Sequence, residues 1–262
     1  MSRALEGKKI LVTREKKQAE TFSQKLEEAG AIPHHAPLLL FKSVDSEKNQ
    51  LLFKELHDFT WVFFTSANGV KFFFELLNTY NIDHSILDQL KIAVVGKKTE
   101  LALHTYGFEA DFCPKHFQGK DMVVEFLNQY SSSEHRIFYV CGNLSRQDIP
   151  TELGRKFVFF RKVVLYDTLI NEKSEAILID YLQKPMDAYT FTSPSTIEGF
   201  LQLSGSIPDT VEGIKEHGLC VCIGSTTEKK ARDEGFKRVL SPNEFTTDGM
   251  IELLINYFNP KR

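Results

Sequence analysis

The sequence predicts a doubly wound α/β protein made of two similar units. Short apolar runs alternate with amphipathic stretches along the chain, which is the pattern of strands and helices in a parallel sheet covered on both faces. Similar segments recur in the two halves of the chain at a nearly constant separation. Polar turns follow most of the apolar runs, so they are expected at the carboxyl ends of the strands, where α/β proteins bind ligands.

The predicted strands are apolar runs of strand length, most of them followed by a helical stretch. The first run, "KKILVT", precedes the predicted helix "EKKQAETFSQKLEEAG", in which Ala19, Phe22 and Leu26 recur at helical spacing and Gly30 ends the helix. The later predicted strands are "WVFFT", "KIAVVG", "RIFYVC", "FVFFR", "AYTFT" and "LCVCIG". This alternation favours a parallel arrangement of the strands.

The two halves share three pairs of similar segments, which predict two similar α/β units. The pairs are "VFFTSANGVKFFFELL" with "TFTSPSTIEGFLQL", "IAVVGKKTELALHTYGFEADFCP" with "VCIGSTTEKKARDEGFKRVLSP", and "FQGKDMVVEFL" with "FTTDGMIELL". From this repeat alone, the domain boundary is expected near 131–134, in the polar stretch "SSSE".

Composition and charge favour a cytoplasmic protein with no nucleic acid and no membrane as partner. The chain has 262 residues, of which 42% are hydrophobic, enough for one large core or two smaller ones. Its net charge of −3 gives no field that would attract nucleic acid or a membrane surface. No apolar run approaches the roughly 18 residues of a membrane helix, and the residues before the first strand are too few for a signal peptide.

Neither the cysteines nor the histidines have the spacing of a metal site. The cysteines lack C-x-x-C spacing and are expected to be reduced thiols in or near the core; they are Cys113, Cys141, Cys220 and Cys222. His34 and His35 are adjacent in an extended segment, so their side chains are expected to point to opposite faces. No metal is therefore expected.

The polar turns contain the candidate ligand-binding residues. Each turn would open a helix whose unpaired N–H groups and positive dipole end suit an anion. Ser, Thr and Asn are also good N-caps, so any one turn could instead only stabilise its helix. The candidates are Arg14, Ser66, Asn68, Thr99, Ser193, Ser195, Thr226 and Thr227. Since no G-x-G-x-x-G follows a strand and no P-loop motif occurs, we expect an anionic ligand that is not a nucleotide.

The order of several short motifs resembles that of the uroporphyrinogen-III synthase family. In chain order these motifs are "ILVTRE", "FTSANGV", "VVGKKTELAL", a P-x-x-F, "VLYDT", "FTSPSTI", "CIGSTTEKKA" and "SPNEFTTDGM". The resemblance covers nearly the whole chain. In one departure, Cys141-Gly142 stands where many members carry Arg-Gly, so a substrate charge met there would fall to Arg146 or elsewhere.

For the fold, this resemblance implies two flavodoxin-like parallel-sheet domains joined by a two-stranded interdomain connection. The first domain would be discontinuous, comprising residues 1–36 and 170–262, and the second would comprise 44–162. Residues 37–43 and 163–169 would be the interdomain crossings. The stretch "SSSE" then becomes a surface loop of the second domain.

For the function, the resemblance implies a cofactor-free enzyme that closes the linear tetrapyrrole hydroxymethylbilane into uroporphyrinogen III, with loss of water and inversion of ring D. Tyr166 would assist departure of the ring A hydroxyl; alternatively, it only packs the strand pair. The implied partner is hydroxymethylbilane synthase, which would hand over the substrate, and a monomer is expected. The alternative interpretation is a two-lobed protein that binds a small anion in its interdomain cleft and catalyses nothing.

Overall fold

The computed structural model describes residues 4–115, 119–130 and 134–260. They form two compact units. Unit 1 comprises Met1–Leu40 and Leu169–Arg262, and unit 2 comprises Phe41–Thr168. The loop expected at "SSSE" lies outside the described residues except for Glu134, and so does the phenylalanine of the P-x-x-F motif.

Strands and helices alternate along most of the chain. The strands are β1 (Lys9–Val12), β2 (Ile32–His35), β3 (Leu39–Ser43), β4 (Trp61–Phe64), β5 (Lys91–Val94), β6 (Arg136–Gly142), β7 (Phe159–Ile170), β8 (Ala188–Phe191), β9 (Leu219–Cys222) and β10 (Arg238–Leu240). The α-helices are α1 (Lys16–Glu28), α2 (Glu47–Lys54), α3 (Ala67–Thr79), α4 (Lys97–His104), α5 (Gly119–Gln129), α6 (Asp148–Arg155), α7 (Glu175–Leu182), α8 (Pro194–Leu203), α9 (Pro208–His217), α10 (Ser225–Asp233) and α11 (Thr247–Phe258). Short 3₁₀ helices occupy Leu56–Asp58, His84–Gln89 and Glu172–Ser174.

Unit 1 contains a five-stranded parallel sheet of order β10-β9-β8-β1-β2. Successive residues of β1 pack on opposite faces, because side chains alternate along a strand. Leu11 belongs to the core cluster on one face with Phe191 and Phe200, whereas Ile10 and Val12 belong to the cluster on the other face. Helices therefore cover both faces of this sheet.

Unit 2 contains a five-stranded sheet of order β3-β7-β6-β4-β5, in which β7, β6, β4 and β5 are parallel. The run "WVFF" of β4 is fully buried, and its side chains alternate between two core clusters. Phe63 packs against Phe126 with ring centroids 4.9 Å apart, and Phe64 packs against Phe73 at 5.1 Å. The predicted α/β class with parallel sheets is thus confirmed.

Three strands differ from the prediction. The run "FVFFR" and the expected crossing at 163–169 form one continuous strand of 12 residues, β7. The short edge strands β2 and β10 were not predicted, because β2 has the sequence "IPHH" and β10 only three residues, so neither is an apolar run of strand length.

Cys141, Cys220 and Cys222 are buried and Cys113 is half-buried, as expected for core or near-core thiols. Within the described ranges, no helix has the length and apolar character needed to cross a membrane.

Candidate functional site

Tyr166 of β7 lies in the core of unit 2, with its phenol oxygen beside a polar turn. Its side chain is only 7% exposed. The ring stacks on Phe72 of α3 with centroids 5.2 Å apart and planes inclined by 19°, and Phe41 of β3 meets it edge-on at 6.1 Å. The phenol oxygen lies 2.9 Å from Oγ of Ser66. The ring is therefore held by aromatic contacts, while its polar end meets one hydroxyl group.

Gly142 provides the space that the Tyr166 ring occupies. The two residues are partners in the β6–β7 pairing, immediately after a register shift between Cys141 and Gly142. A Cβ atom on Gly142 would lie 2.6 Å from Cε2 and Cζ of Tyr166 and 2.9 Å from its oxygen. Real Cβ atoms do not approach other atoms so closely, so the ring could not keep this place beside any other residue. The sequence pointed to Cys141-Gly142 only as a departure from the family pattern and did not predict this role.

Ser66 has two roles in the polar turn between β4 and α3. It is the N-cap of α3, has extended backbone angles, and its Oγ accepts the N–H of Gly69 at 2.9 Å. The same oxygen contacts the phenol of Tyr166. Asn68 lies in the first turn of α3 and is half-buried. The turn therefore stabilises its helix and also contacts Tyr166.

The surroundings of Tyr166 raise the pKa of its phenol, which is protonated at neutral pH. Burial raises the pKa of the phenol above its ordinary value of 10, the hydrogen bond with Ser66 lowers it by a smaller amount, and the Cys141 thiol adds to the increase. Because the net direction is upward, the group carries a proton throughout the neutral range. It can donate a hydrogen bond or a proton, but it is not a base there.

The candidate turns of unit 2 lie along one edge of its sheet. β6, β4 and β5 are neighbouring parallel strands, so their carboxyl ends meet at the same edge. Ser66 and Asn68 follow β4, and Thr99 lies in the first turn of α4 after β5. Thr99 is buried. Ser66 contacts the phenol of Tyr166 through its hydroxyl group.

The candidate turns of unit 1 are arranged in the same way along β1, β8 and β9. Arg14 follows β1, Ser193 and Ser195 lie at the start of α8, and Thr226 and Thr227 lie in the first turn of α10. Burial lowers the pKa of Arg14, and this residue lines a cavity of about 390 Å³ within unit 1. Thr227 is buried and Thr226 is exposed.

The helix starts differ in how their N–H groups are capped. Ser193 forms a reciprocal capping box with Thr196 on α8, and Ser66 caps α3, so both serine hydroxyls serve their own helices. The N-cap residues of α4 and α10 are Gly96 and Gly224, which have no side chain to offer. Of the four helices that follow β4, β5, β8 and β9, α4 and α10 are therefore those whose N-cap side chain makes no hydrogen bond that a ligand anion would have to displace.

These features define a two-unit α/β protein with polar, helix-opening turns at the carboxyl edge of each sheet, a class in which that edge binds ligands. The chain belongs to the uroporphyrinogen-III synthase family, because the sequence model of uroporphyrinogen-III synthase HemD matches residues 20–252. The resemblance found in the order of the motifs is thereby confirmed.

Named relatives and a solved structure agree with this assignment. The chain is 31% identical over 259 residues to the porphyrin biosynthesis protein HemD of Ruminiclostridium josui; the match covers 97% of this chain and 49% of that protein, so the chain spans about half its length. It is 28% identical over 246 residues to the uroporphyrinogen-III synthase of Chlorobaculum parvum, covering 91% of this chain and 94% of the relative. The crystal structure of a mutant uroporphyrinogen III synthase from Thermus thermophilus has a TM-score of 0.68 at 14% identity, covering 97% of this chain and all of that one. At that identity the structure supports the fold alone.

Proposed function

We propose that this chain closes hydroxymethylbilane into uroporphyrinogen III, with loss of water and inversion of ring D, and thus acts as a cyclising hydro-lyase. The observation that carries the proposal is the family match over residues 20–252. We assign Tyr166 to the chemistry and the polar turns to substrate carboxylates. Residues 37–43 and 163–169 are proposed as the connections between the two domains.

The substrate accounts for the polar turns. The bilane carries eight carboxylates on four pyrroles, yet the chain has a net charge of −3. Helix N-termini and hydroxyl groups bind carboxylates without requiring a basic surface. The glycine-capped starts of α4 and α10, with Thr99, Thr226 and Thr227, are the positions that we assign first to this task. Arg14, Ser66, Asn68, Ser193 and Ser195 remain further candidates.

In the proposed reaction, the protein assists one bond cleavage and restrains one ring. The ring A hydroxyl leaves as water after it receives a proton from the phenol of Tyr166, and the pyrrole nitrogen supplies the electron pair that expels it. Ring D then attacks the ring A methylene through its substituted carbon. The spiro intermediate reopens by breaking the bond between ring D and the methylene on ring C, and that methylene closes onto the other α-carbon of ring D, which is thereby inverted. Ring D loses one proton at closure, so the whole reaction needs no net acid. Most of the task is positioning.

The direct test supplies fresh hydroxymethylbilane, oxidises the products and separates the isomers. We expect isomer III, because in buffer alone the bilane closes head to tail without inversion and gives isomer I. Isomer I alone would contradict the enzyme proposal and favour a protein that only binds an anion. We further propose that the protein is a cytoplasmic monomer that receives its substrate from hydroxymethylbilane synthase. Sedimentation of the protein with and without that enzyme would test the monomeric state and the association.

The assignment of Thr226 and Thr227 to carboxylates predicts a loss of affinity when both become Val. Valine retains the shape of threonine but removes the hydroxyl donor. Affinity for uroporphyrinogen III should fall by about 1 to 3 kcal/mol if these donors meet charged groups. Thermal stability should change less. Titration calorimetry and thermal melts of the double variant measure the two effects.

The control for this prediction is Thr247→Val, which alters a half-buried threonine in the first turn of α11. The control should leave the affinity unchanged. If the double variant loses stability and affinity by equal amounts, the two threonines act as parts of the helix start and not as ligand contacts.

A further inference from the structure

The hydroxyl of Ser66 has one hydrogen to donate and two lone pairs to accept with. The N–H of Gly69 donates to one lone pair at 2.9 Å. The remaining contact of the hydroxyl is the phenol oxygen of Tyr166, also at 2.9 Å, and the distance alone does not decide which oxygen donates. The direction of this hydrogen bond matters because each oxygen carries a single hydrogen.

Counting satisfied hydrogens does not decide the direction, because either direction leaves one of the two hydrogens without a protein acceptor, so the direction follows from the proposed proton transfer. Within the described residues, Ser66 Oγ has no acceptor for its hydrogen other than the oxygen of Tyr166. If Tyr166 donated, the Ser66 hydrogen would be left without a protein acceptor, and the phenol proton would be used inside the protein. If Ser66 donates, the phenol hydrogen is instead the one without an acceptor among the described residues, and it remains available to the substrate, as the proposed reaction requires.

We propose that Ser66 is a positioning residue that donates its hydrogen to the phenol oxygen of Tyr166 and thereby directs the phenol proton toward the substrate. This inference rests on the proposed function and deepens it. The hydrogen bonds form a chain from Gly69 N–H to Ser66 and from Ser66 to Tyr166. Each bond accepted by an oxygen makes its own hydrogen a better donor, so the chain strengthens the phenol as a donor.

The surrounding structure fixes both ends of this chain. Ser66 is held by its place as N-cap of α3, near the positive end of that helix. The ring of Tyr166 stacks on Phe72 and lies close to Gly142. Neither oxygen can turn away without disturbing a helix start or the packing of the core. The hydrogen bond from Ser66 also lowers the pKa of the phenol, in opposition to burial.

The experiment compares Ser66→Ala with Ser46→Ala. Ser46 is the N-cap of α2 in the same unit and accepts the N–H of Asn49 at 3.2 Å, so its variant loses an equivalent cap. We expect Ser66→Ala to lower kcat about 10- to 100-fold with KM nearly unchanged, because its effect passes through the proton donor. Ser66→Thr should restore most of the rate, and Ser46→Ala should keep it.

Two further readouts separate positioning from structural support. In a Tyr166→Phe background, Ser66→Ala should cause no further loss of kcat, because the group it orients is gone. The pKa of Tyr166, followed by NMR of protein labelled at tyrosine Cζ and assigned with Tyr166→Phe, should rise in Ser66→Ala and stay at its wild-type value in Ser46→Ala.

A Tyr166 titration that Ser66→Ala leaves unchanged would overturn the inference, as would an equal loss of kcat in both backgrounds. The NMR titration needs no substrate, so it remains decisive if the proposed reaction is wrong. A wild-type protein that yields only isomer I would instead contradict the proposed function.

Discussion

Tyr166→Phe is expected to keep the fold and the affinity for the tetrapyrrole while slowing turnover by about 10- to 1000-fold, the range for one well-placed donor or general acid. Phenylalanine preserves the stacking on Phe72 and the contact with Phe41, which hold the ring in the core of unit 2. It removes only the oxygen that meets Ser66. The product that does form should still be isomer III. Single-turnover rates with isomer ratios measure both effects.

Tyr166→Ala is the control that measures how much the packing of the ring contributes to stability and rate. It removes a ring that is 7% exposed, so stability and rate should fall together, by about 3 to 5 kcal/mol for the free energy of unfolding. A phenylalanine variant within about twofold of the wild-type rate would show that Tyr166 only packs the core.

Because the pKa of the Tyr166 phenol lies above its ordinary value of 10, the wild-type rate should not decline through phenol ionisation as the pH rises toward 10.

Gly142→Ala is expected to cost about 1 to 3 kcal/mol of stability and to lower the turnover rate, because the added methyl group overpacks a buried contact. The new Cβ would lie 2.6 Å from the Tyr166 ring, which also stacks on Phe72. The ring and the strand pair must therefore shift, and the phenol moves away from Ser66. Urea denaturation and single-turnover kinetics measure the two losses.

Gly154→Ala is the matched control for this prediction. Gly154 lies in α6 of the same unit, and a Cβ there would meet no atom within 4 Å. Since alanine is the better helix former, this variant should be neutral or more stable by up to about 1 kcal/mol. In a Tyr166→Ala background, Gly142→Ala should cost much less than it does alone, because the clash is gone. Additive losses would place the strain somewhere other than at the Tyr166 ring.

The sequence could predict the layered fold because central strands of both sheets are apolar on both faces. Runs such as "WVFF" and "LCVC" are entirely buried and are recognisable without any knowledge of their neighbours. The short strands β2 and β10 lie at the edges of their sheet and have no such run, so only the pairing with β1 and β9 defines them. The continuity of β7 also follows from pairing, because β6 supports it through seven residue pairs.

The candidate site could be predicted only in part. The helix-opening turns are visible in the sequence, since hydroxyl residues after an apolar run are a local signal. The contact between Ser66 and Tyr166 joins residues 100 positions apart, and no local pattern connects them. The role of Gly142 depends on a register shift between β6 and β7, which leaves no sequence signal either. The motif order pointed to Tyr166, whereas the residues around Tyr166 are brought together only by the tertiary structure.

Unit 2 is inserted between the two parts of unit 1 along the chain, and this insertion affects the order in which the two units are completed during synthesis. Unit 1 comprises Met1–Leu40 and Leu169–Arg262, and unit 2 comprises Phe41–Thr168. At the ribosome, unit 2 is complete before β8, the strand that lies beside β1 in the sheet of unit 1, has been made. Until then, β1 and β2 form only a two-stranded fragment, which is marginal by itself in water. Domains usually fold in the order in which they are made. Of these two units, the one that begins first along the chain is therefore completed second, and its two parts meet only after the inserted unit has been translated.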